Sequence, residues 1–457
     1  MAKLFGTDGI RGIANSELTC ELALKVGKAV AQVLAGSYDH TPKILIGKDT
    51  RISSDMIECA LLSGICSVGA AGISLGIVPT PAVAYLVKKY GADAGIMISA
   101  SHNSYEFNGI KIFDKNGYKL SDSIEEQIET IILDSSYSFP LLAGKSIGKI
   151  IHNDNAARDY INNIKSAVSI PKNKNFKIAV DCANGSTSAT AEILFKELGL
   201  NVNIIFDKPN GFNINENCGS TSLGCLSNFV IKNNCNLGIA FDGDADRCLF
   251  VDEEGKIIDG DSILGICADF MKKEGALKNN TLVGTIMSNF GLKKFCEKNN
   301  INFCETKVGD KYVLEKMLEG GYNIGGEQSG HVIFLDFSTT GDGQLTAVQL
   351  LSVLLKSKVK ASELASIIKK YPQKSITIEI QSNQKGVIAK DKNVNKQIEV
   401  IQRELENKGK IVVRESGTEP KIRIMVECED KNKLNEIIEN ACKIVNESLN
   451  LRKVKTK

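Results

Sequence analysis

Three times along the 457 residues a short apolar run ends in small polar residues and passes into a helical pattern. The runs are Lys43-Ile-Leu-Ile-Gly47 before Lys48-Asp-Thr-Arg51, Phe176-Lys-Ile-Ala-Val180 before Asp181-Cys-Ala-Asn-Gly185, and Thr281-Leu-Val-Gly-Thr-Ile286 before Met287-Ser-Asn289. Short apolar runs bounded by turn residues read as buried strands, and strands alternating with helices predict mostly parallel sheets with helices on both faces. The spacing predicts helices over 19–35, from a cap at Ser53 or Ser54 to 68, and from Pro79-Thr-Pro81 onward. Beyond about residue 370 the pattern changes. Alternating strands at 374–380, 409–414 and 422–427 and two charged helices predict a small α+β domain. The chain therefore divides into 1–150, 151–252, 253–369 and 370–457: three related α/β domains with mixed, mostly parallel sheets, then the α+β domain.

Composition excludes several function classes. Hydrophobic residues make up 43% and charged residues 24%, with a net charge of +2 and no tryptophan. No global field or stacking platform favours nucleic acid, and no apolar run approaches membrane-spanning length. Thirteen cysteines without a Cys-x-x-Cys pair read as reduced core residues, and the polar N-terminus does not read as a signal peptide. The expectation is a cytoplasmic protein acting on small molecules.

Four polar loops carry chemistry. Ile96-Met-Ile98 runs into Ser99-Ala-Ser101-His102-Asn103, and Asn108-Gly109 predicts a tight turn returning through Ile110-Lys111-Ile-Phe113. Strand ends in α/β proteins gather ligand-binding side chains. A hydroxyl from Ser99 or Ser101, the His102 imidazole and the Lys111 amine converge there. Leu237-Gly-Ile-Ala-Phe241 runs into Asp242-Gly-Asp244-Ala-Asp246-Arg247. Three carboxylates this close need a hard cation, and oxygen-only ligands favour Mg2+; Arg247 at the rim suits phosphate. Gly326-Glu327-Gln-Ser329-Gly-His331 offers groups that hydrogen-bond a sugar ring. Arg414-Glu-Ser416-Gly417-Thr418-Glu-Pro420, with Arg423, has the chemistry of a phosphate nest. The glycine-punctuated Gly6-Thr-Asp-Gly-Ile-Arg11-Gly12 reads as a shaped turn presenting Arg11.

Taken in order, these motifs resemble the α-D-phosphohexomutase superfamily over essentially the whole chain. Phe5 to Gly12, Gln328 and Thr339-Thr-Gly-Asp-Gly343 place the resemblance on its glucosamine-phosphate branch. The resemblance implies four domains around a central cleft and a phosphoryl group on Ser101. It implies one Mg2+ per subunit, held by Asp242, Asp244, Asp246 and the Ser101 phosphate. Glu327 and Ser329, with His331 beside them, would hold the sugar; Arg414, Ser416, Gly417, Thr418 and Arg423 would hold the distal phosphate. Lys111 would transfer a proton, with His102, Arg11 and Arg247 shaping the charge. The implied reaction interconverts glucosamine 6-phosphate and glucosamine 1-phosphate through glucosamine 1,6-bisphosphate, feeding UDP-N-acetylglucosamine and cell-wall precursors. Glucose or mannose phosphates are the alternative substrates. A monomer or homodimer, primed by a kinase or by autophosphorylation, is expected. Two departures stand out: Ser104 where proline is usual, and Lys311 where arginine is usual.

Overall fold

The computed structural model describes residues 4–455, apart from Thr7, 36–39, Lys172, 382–383, 385, 387, 389–390, Glu406 and 416–419. The chain forms two compact units, Met1–Thr285 with Thr306–Ile367 and Ile286–Glu305 with Ile368–Lys457.

In the first unit, the first sheet has seven strands in the order Phe5–Gly6, Gly9–Ile13, Phe107–Asp114, Ala94–Ile98, Lys43–Lys48, Ala71–Ile77 and Ile150–His152. The last four run parallel, and the others join antiparallel. Alternation puts Ile44, Ile46, Ile96 and Ile98 on one face, where they pack in one core with Val26, Val30, Ile57 and Leu61 of helices Cys20–Ala35 and Ile52–Ser67. These helices touch through glycine. A Cβ on Gly27 would lie 2.4 Å from the Leu61 carbonyl oxygen, and one on Gly64 would lie 2.2 Å from that of Leu24. Because backbone cannot swing aside as a side chain can, Gly27→Ala is expected to lower the unfolding free energy by about 1–3 kcal/mol. An unchanged midpoint in urea would show that the helices separate freely.

The second sheet orders Ile257–Ile258, Cys248–Asp252, Leu237–Phe241, Lys177–Asp181 and Asn201–Ile205. Leu237–Phe241 is parallel to Lys177–Asp181 and antiparallel to Cys248–Asp252. In the third, Thr281–Thr285 runs parallel to Ile324–Gly326, which pairs antiparallel with Val332–Phe334. The second unit contains an antiparallel sheet, Gln373–Glu379, Lys421–Cys428 and Gly409–Glu415. Ile422, Ile424 and Val426 share a core there with Ile401 of helix Lys392–Glu404 and Ile438 of helix Lys431–Lys455. The architecture is three mixed α/β domains and a smaller α+β domain. No helix among the described residues is long and apolar enough to cross a membrane.

Two local expectations are overturned. Asn108 and Gly109 make no turn: they lie inside strand Phe107–Asp114, opposite Gly12 and Arg11. The glycine is required by close approach, since a Cβ there would sit 2.5 Å from the Ser99 carbonyl oxygen. Asn108 is buried and donates to Ser53 Oγ at 2.9 Å. Ser53 and Ser54 do not cap their helix, which starts at Ile52 with Arg51 before it; Ser54 Oγ instead donates to Asp49 at 2.9 Å. Near the expected boundary at 150, strand Ile150–His152 pairs parallel with Gly72–Ser74 of the first sheet. The cysteines are free thiols, most of them buried, with Cys59 and Cys225 exposed.

Candidate active site

Strand Ala94–Ile98 of the first sheet and strand Leu237–Phe241 of the second are buried along their whole length, and each ends in one of the polar loops. The two loops meet. Ser101 Oγ donates to Asp242 Oδ2 at 2.5 Å, across 141 residues of sequence. The approach needs a bare backbone at Gly243, where a Cβ would lie 2.6 Å from the Ser101 carbonyl oxygen. Both loops curl through the left-handed region, at Ser101 (φ 52°) and Ala245 (φ 59°). Such conformations cost non-glycine residues energy and persist where their surroundings hold them.

The curl at Ala245 draws the aspartates together. One carboxylate oxygen from each of Asp242, Asp244 and Asp246 lies within 4.8 Å of the others, and all three residues are buried. Asp244 Oδ1 and Asp246 Oδ1 are buried without a hydrogen-bond partner. Three carboxylates and a serine oxygen, two of the carboxylate oxygens unsatisfied, fit a hard divalent cation with oxygen coordination. Burial and the charges of Asp246 and Asp244 hold the Asp242 carboxyl well above the ordinary range. Burial also opposes ionisation of Asp246, but Lys111 and His331 override it and keep that group well below the range.

Lys111, 1% exposed, is the buried cation of this cluster. Its Nζ lies 2.8 Å from Asp244 Oδ2, 3.1 Å from Asp246 Oδ2 and 3.2 Å from Asp8 Oδ2. Burial alone would depress its pKa; Asp244, Asp246 and Asp8 outweigh it and hold the ammonium well above its usual range. Truncating one partner of a buried ion cluster leaves the others uncompensated. Lys111→Met is therefore expected to destabilise the metal-free protein by about 3–5 kcal/mol, read from urea denaturation in chelator. An unchanged midpoint would refute the charge balance.

Asp8 extends the network. It accepts from Arg11 Nη2 at 2.5 Å and Lys119 Nζ at 2.6 Å, and Lys119 also bonds Asp310. His331, 3% exposed, has Nδ1 3.8 Å from Asp246 Oδ2 and Nε2 3.7 Å from Asp310 Oδ2. Its Nε2 also accepts from the Gly341 backbone N–H at 3.1 Å. His331 thus sits among protein partners linking two carboxylates. His102 Nδ1 is 3.4 Å from Ser101 Oγ. Burial, then the Arg247 and Arg11 cations, push its pKa down to about 4, so it is neutral near pH 7. The Arg247 backbone N–H donates to Asp242 Oδ1 at 3.2 Å. Burial works against the Arg247 charge, but Asp246, Asp242 and Glu327 raise its pKa.

Glu327 belongs to the turn between Ile324–Gly326 and Val332–Phe334, where its Oε1 accepts from the Gly309 N–H at 2.9 Å. Ser329 Oγ is buried with no partner, as a hydroxyl awaiting a ligand would be. Lys311 bonds Asp122 instead of facing the aspartates. Arg414 and Arg423 lie in the second unit, directly opposite one another on antiparallel strands. Ser416, Gly417 and Thr418 lie outside the described residues. The sequence reading passed over Asp8, Asp49, Arg51, Thr80, Lys119, Asn215 and Asp310. Thr80 Oγ1 donates to Asp244 Oδ2 at 2.6 Å. The only signal for Asp49 and Arg51 was the polar end of strand Lys43–Lys48, and strand neighbours are not readable from sequence.

The four domain models of the phosphoglucomutase/phosphomannomutase family match in order: domain I at residues 2–138, II at 158–255, III at 259–371 and the C-terminal domain at 376–444. A phosphoglucosamine mutase of Clostridium acetobutylicum is 51% identical over 450 residues, covering 98% of this chain and 100% of that protein. The crystal structure of a phosphoglucomutase/phosphomannomutase family protein from Burkholderia thailandensis shares the fold with a TM-score of 0.82 at 21% identity, covering 98% of this chain and 97% of that one. Aspergillus fumigatus N-acetylphosphoglucosamine mutase, solved in complex with GlcNAc-6P and magnesium, shares it with a TM-score of 0.70 at 16% identity, covering 98% and 97%. With all four domain models in order and half of its residues shared with a relative of equal length, the chain belongs to the phosphoglucomutase/phosphomannomutase family of intramolecular phosphotransferases, on the branch of its phosphoglucosamine mutase relatives.

Proposed function

We propose that this chain interconverts glucosamine 6-phosphate and glucosamine 1-phosphate in the cytoplasm, with Ser101 as the phosphoryl carrier, glucosamine 1,6-bisphosphate as intermediate and one Mg2+ per subunit. The observation that carries the reading is the 2.5 Å contact of Ser101 Oγ with a buried aspartate trio. Asp242, Asp244 and Asp246 would hold the Mg2+, which when bound neutralises charge on the transferring group.

The remaining work is done by the chain. Phosphorylated Ser101 gives its phosphoryl group to the sugar's free oxygen, and its own oxygen leaves. Lys111, held as an ammonium on the same cluster, is set to give that oxygen a proton and, as the resulting amine, to take the proton that the attacking sugar hydroxyl releases; the return transfer runs the same exchange in reverse. His102, held neutral, leaves Arg11 and Arg247 as the cations facing the phosphoryl group. Glu327 and the unpartnered Ser329 hydroxyl position the sugar, and Arg414, Ser416, Gly417, Thr418 and Arg423 are the residues proposed for the other phosphate. Alignment and charge neutralisation supply most of the acceleration in phosphoryl transfer. A monomer or homodimer, first phosphorylated by a kinase or by autophosphorylation, fits the scheme.

Phosphorus NMR of glucosamine 6-phosphate with enzyme, Mg2+ and a trace of glucosamine 1,6-bisphosphate tests it. The expected result is appearance of the 1-phosphate resonance, with kcat/KM at least about tenfold above that for glucose or mannose phosphates. Equal or faster turnover of either of those would overturn the substrate assignment.

A further inference from the structure

Ser101 is a poor place for a left-handed backbone, yet an accurate oxygen position is what phosphoryl transfer demands. We infer that Arg51, anchored by Asp49, and Asn215 form a clamp on the backbone of the Ser101 loop and are positioning residues for the Ser101 oxygen. This rests on the carrier role of Ser101 proposed above.

All five N–H donors of Arg51 are spent on this task. Nη2 donates to the carbonyl oxygens of Ser101 (3.0 Å) and Asn103 (2.9 Å). Nη1 donates to those of Ser104 and Phe107, the latter at 3.0 Å. Nε donates to Asp49 Oδ2 at 2.8 Å, and neither side chain of that pair is exposed. A guanidinium buried so completely binds no solvent or surface anion; it closes one loop of backbone, which an ammonium with three donors cannot do.

Asp49 reaches the same loop from the other side. Its Oδ2 accepts from Ser99 Oγ at 2.6 Å, and Ser99 Oγ accepts the Ser101 backbone N–H at 2.9 Å. The Ser101 carbonyl oxygen receives a second donor from the second domain: Asn215 Nδ2, at 2.9 Å, which also reaches the Asn103 carbonyl oxygen at 3.0 Å. Asn215 itself has a left-handed backbone (φ 59°). The peptide groups on both sides of the Ser101 Cα are thereby fixed, one through Ser99 and Asp49, the other through Arg51 and Asn215. Only the side chain remains to turn, and it points at Asp242. A carrier that gains and loses a phosphoryl group in each cycle keeps its place because none of these bonds involves its Oγ. The departure at Ser104 lies inside the clamp, since its carbonyl oxygen is one of those that Arg51 holds.

Two variants test the clamp, with kcat expressed per phosphorylatable Ser101. Asn215→Gly keeps the left-handed backbone free of strain and removes the two donors; Arg51→Lys keeps the charge opposite Asp49 and removes the fork. Misplacement of a reacting group by about 1 Å costs on the order of 10²-fold. For glucosamine 6-phosphate, kcat is expected to fall about 10- to 100-fold while KM stays within about twofold, the pattern of a lost transition-state alignment. The phosphoserine resonance of Asn215→Gly is expected to broaden. Unchanged kcat in Asn215→Gly, or a loss that vanishes once rates are scaled to phosphorylatable enzyme, overturns the clamp; if Arg51→Lys does not fold, Asn215→Gly decides alone. Ser101→Ala run alongside separates the two claims. Turnover by Ser101→Ala would remove the carrier role itself, whereas an inactive Ser101→Ala with a fully active Asn215→Gly removes only the clamp.

Discussion

Ser101→Ala is expected to lose turnover by roughly 10³-fold or more, because a covalent route has no substitute once its carrier is gone. The fold should tolerate the change. The lost hydroxyl donates only to Asp242 Oδ2 and lies near His102 Nδ1, and the backbone bonds around it involve the N–H and C=O, which alanine keeps. Burial and the neighbouring Asp246 and Asp244 already hold the Asp242 carboxyl well above the ordinary range, so loss of one donor there is a small further change. Intact mass after treatment with glucosamine 1,6-bisphosphate should show a phosphoryl increment on the native chain and none on the variant. Turnover near the native rate, or a phosphoryl group still present on the variant, would refute the carrier assignment.

The second large effect is expected at the aspartates. Asp244→Asn should weaken Mg2+ binding by roughly 10²-fold or more, since an amide oxygen replaces one of three anionic ligands around a hard cation. Turnover should fall with it and recover in part at high Mg2+. Stability should move far less than affinity. Lys111 keeps Asp246 at 3.1 Å and Asp8 at 3.2 Å, and one like charge leaves a crowded site. Calorimetric titration with Mg2+ and urea denaturation in chelator measure the two separately. An unchanged Mg2+ affinity would exclude Asp244 as a ligand.

The contrast between Lys111→Met and Asp244→Asn shows how the site is balanced. Removing the cation leaves three buried carboxylates facing each other; removing one carboxylate leaves a cation with two partners. The first change is expected to cost stability, the second metal affinity.

Periodicity and composition along the chain were enough to find most strands and helices, because apolar alternation and helical spacing are imposed locally by which face each residue must bury. They were enough to single out the Ser99 to Asn103 loop and the Asp242 to Asp246 run, because hydroxyls and three carboxylates at the ends of buried strands have no packing reason to be there; the family resemblance chose Ser101 over Ser99. The local reading failed where a residue's reason lies across space. Gly109 looked like a turn former and is a glycine because the Ser99 carbonyl crowds it. Ser54 looked like a helix cap and instead serves Asp49. Asp8, Lys119 and Asn215 carry no local signature, and Arg51 only the polar end of a strand, because they have partners up to 191 residues away along the chain. The candidate loops were therefore written in one dimension. Which of their side chains meet, and in what charge state, followed only from packing the sheets of the first unit together, since burial and the nearness of opposite charge are properties of three-dimensional neighbourhood.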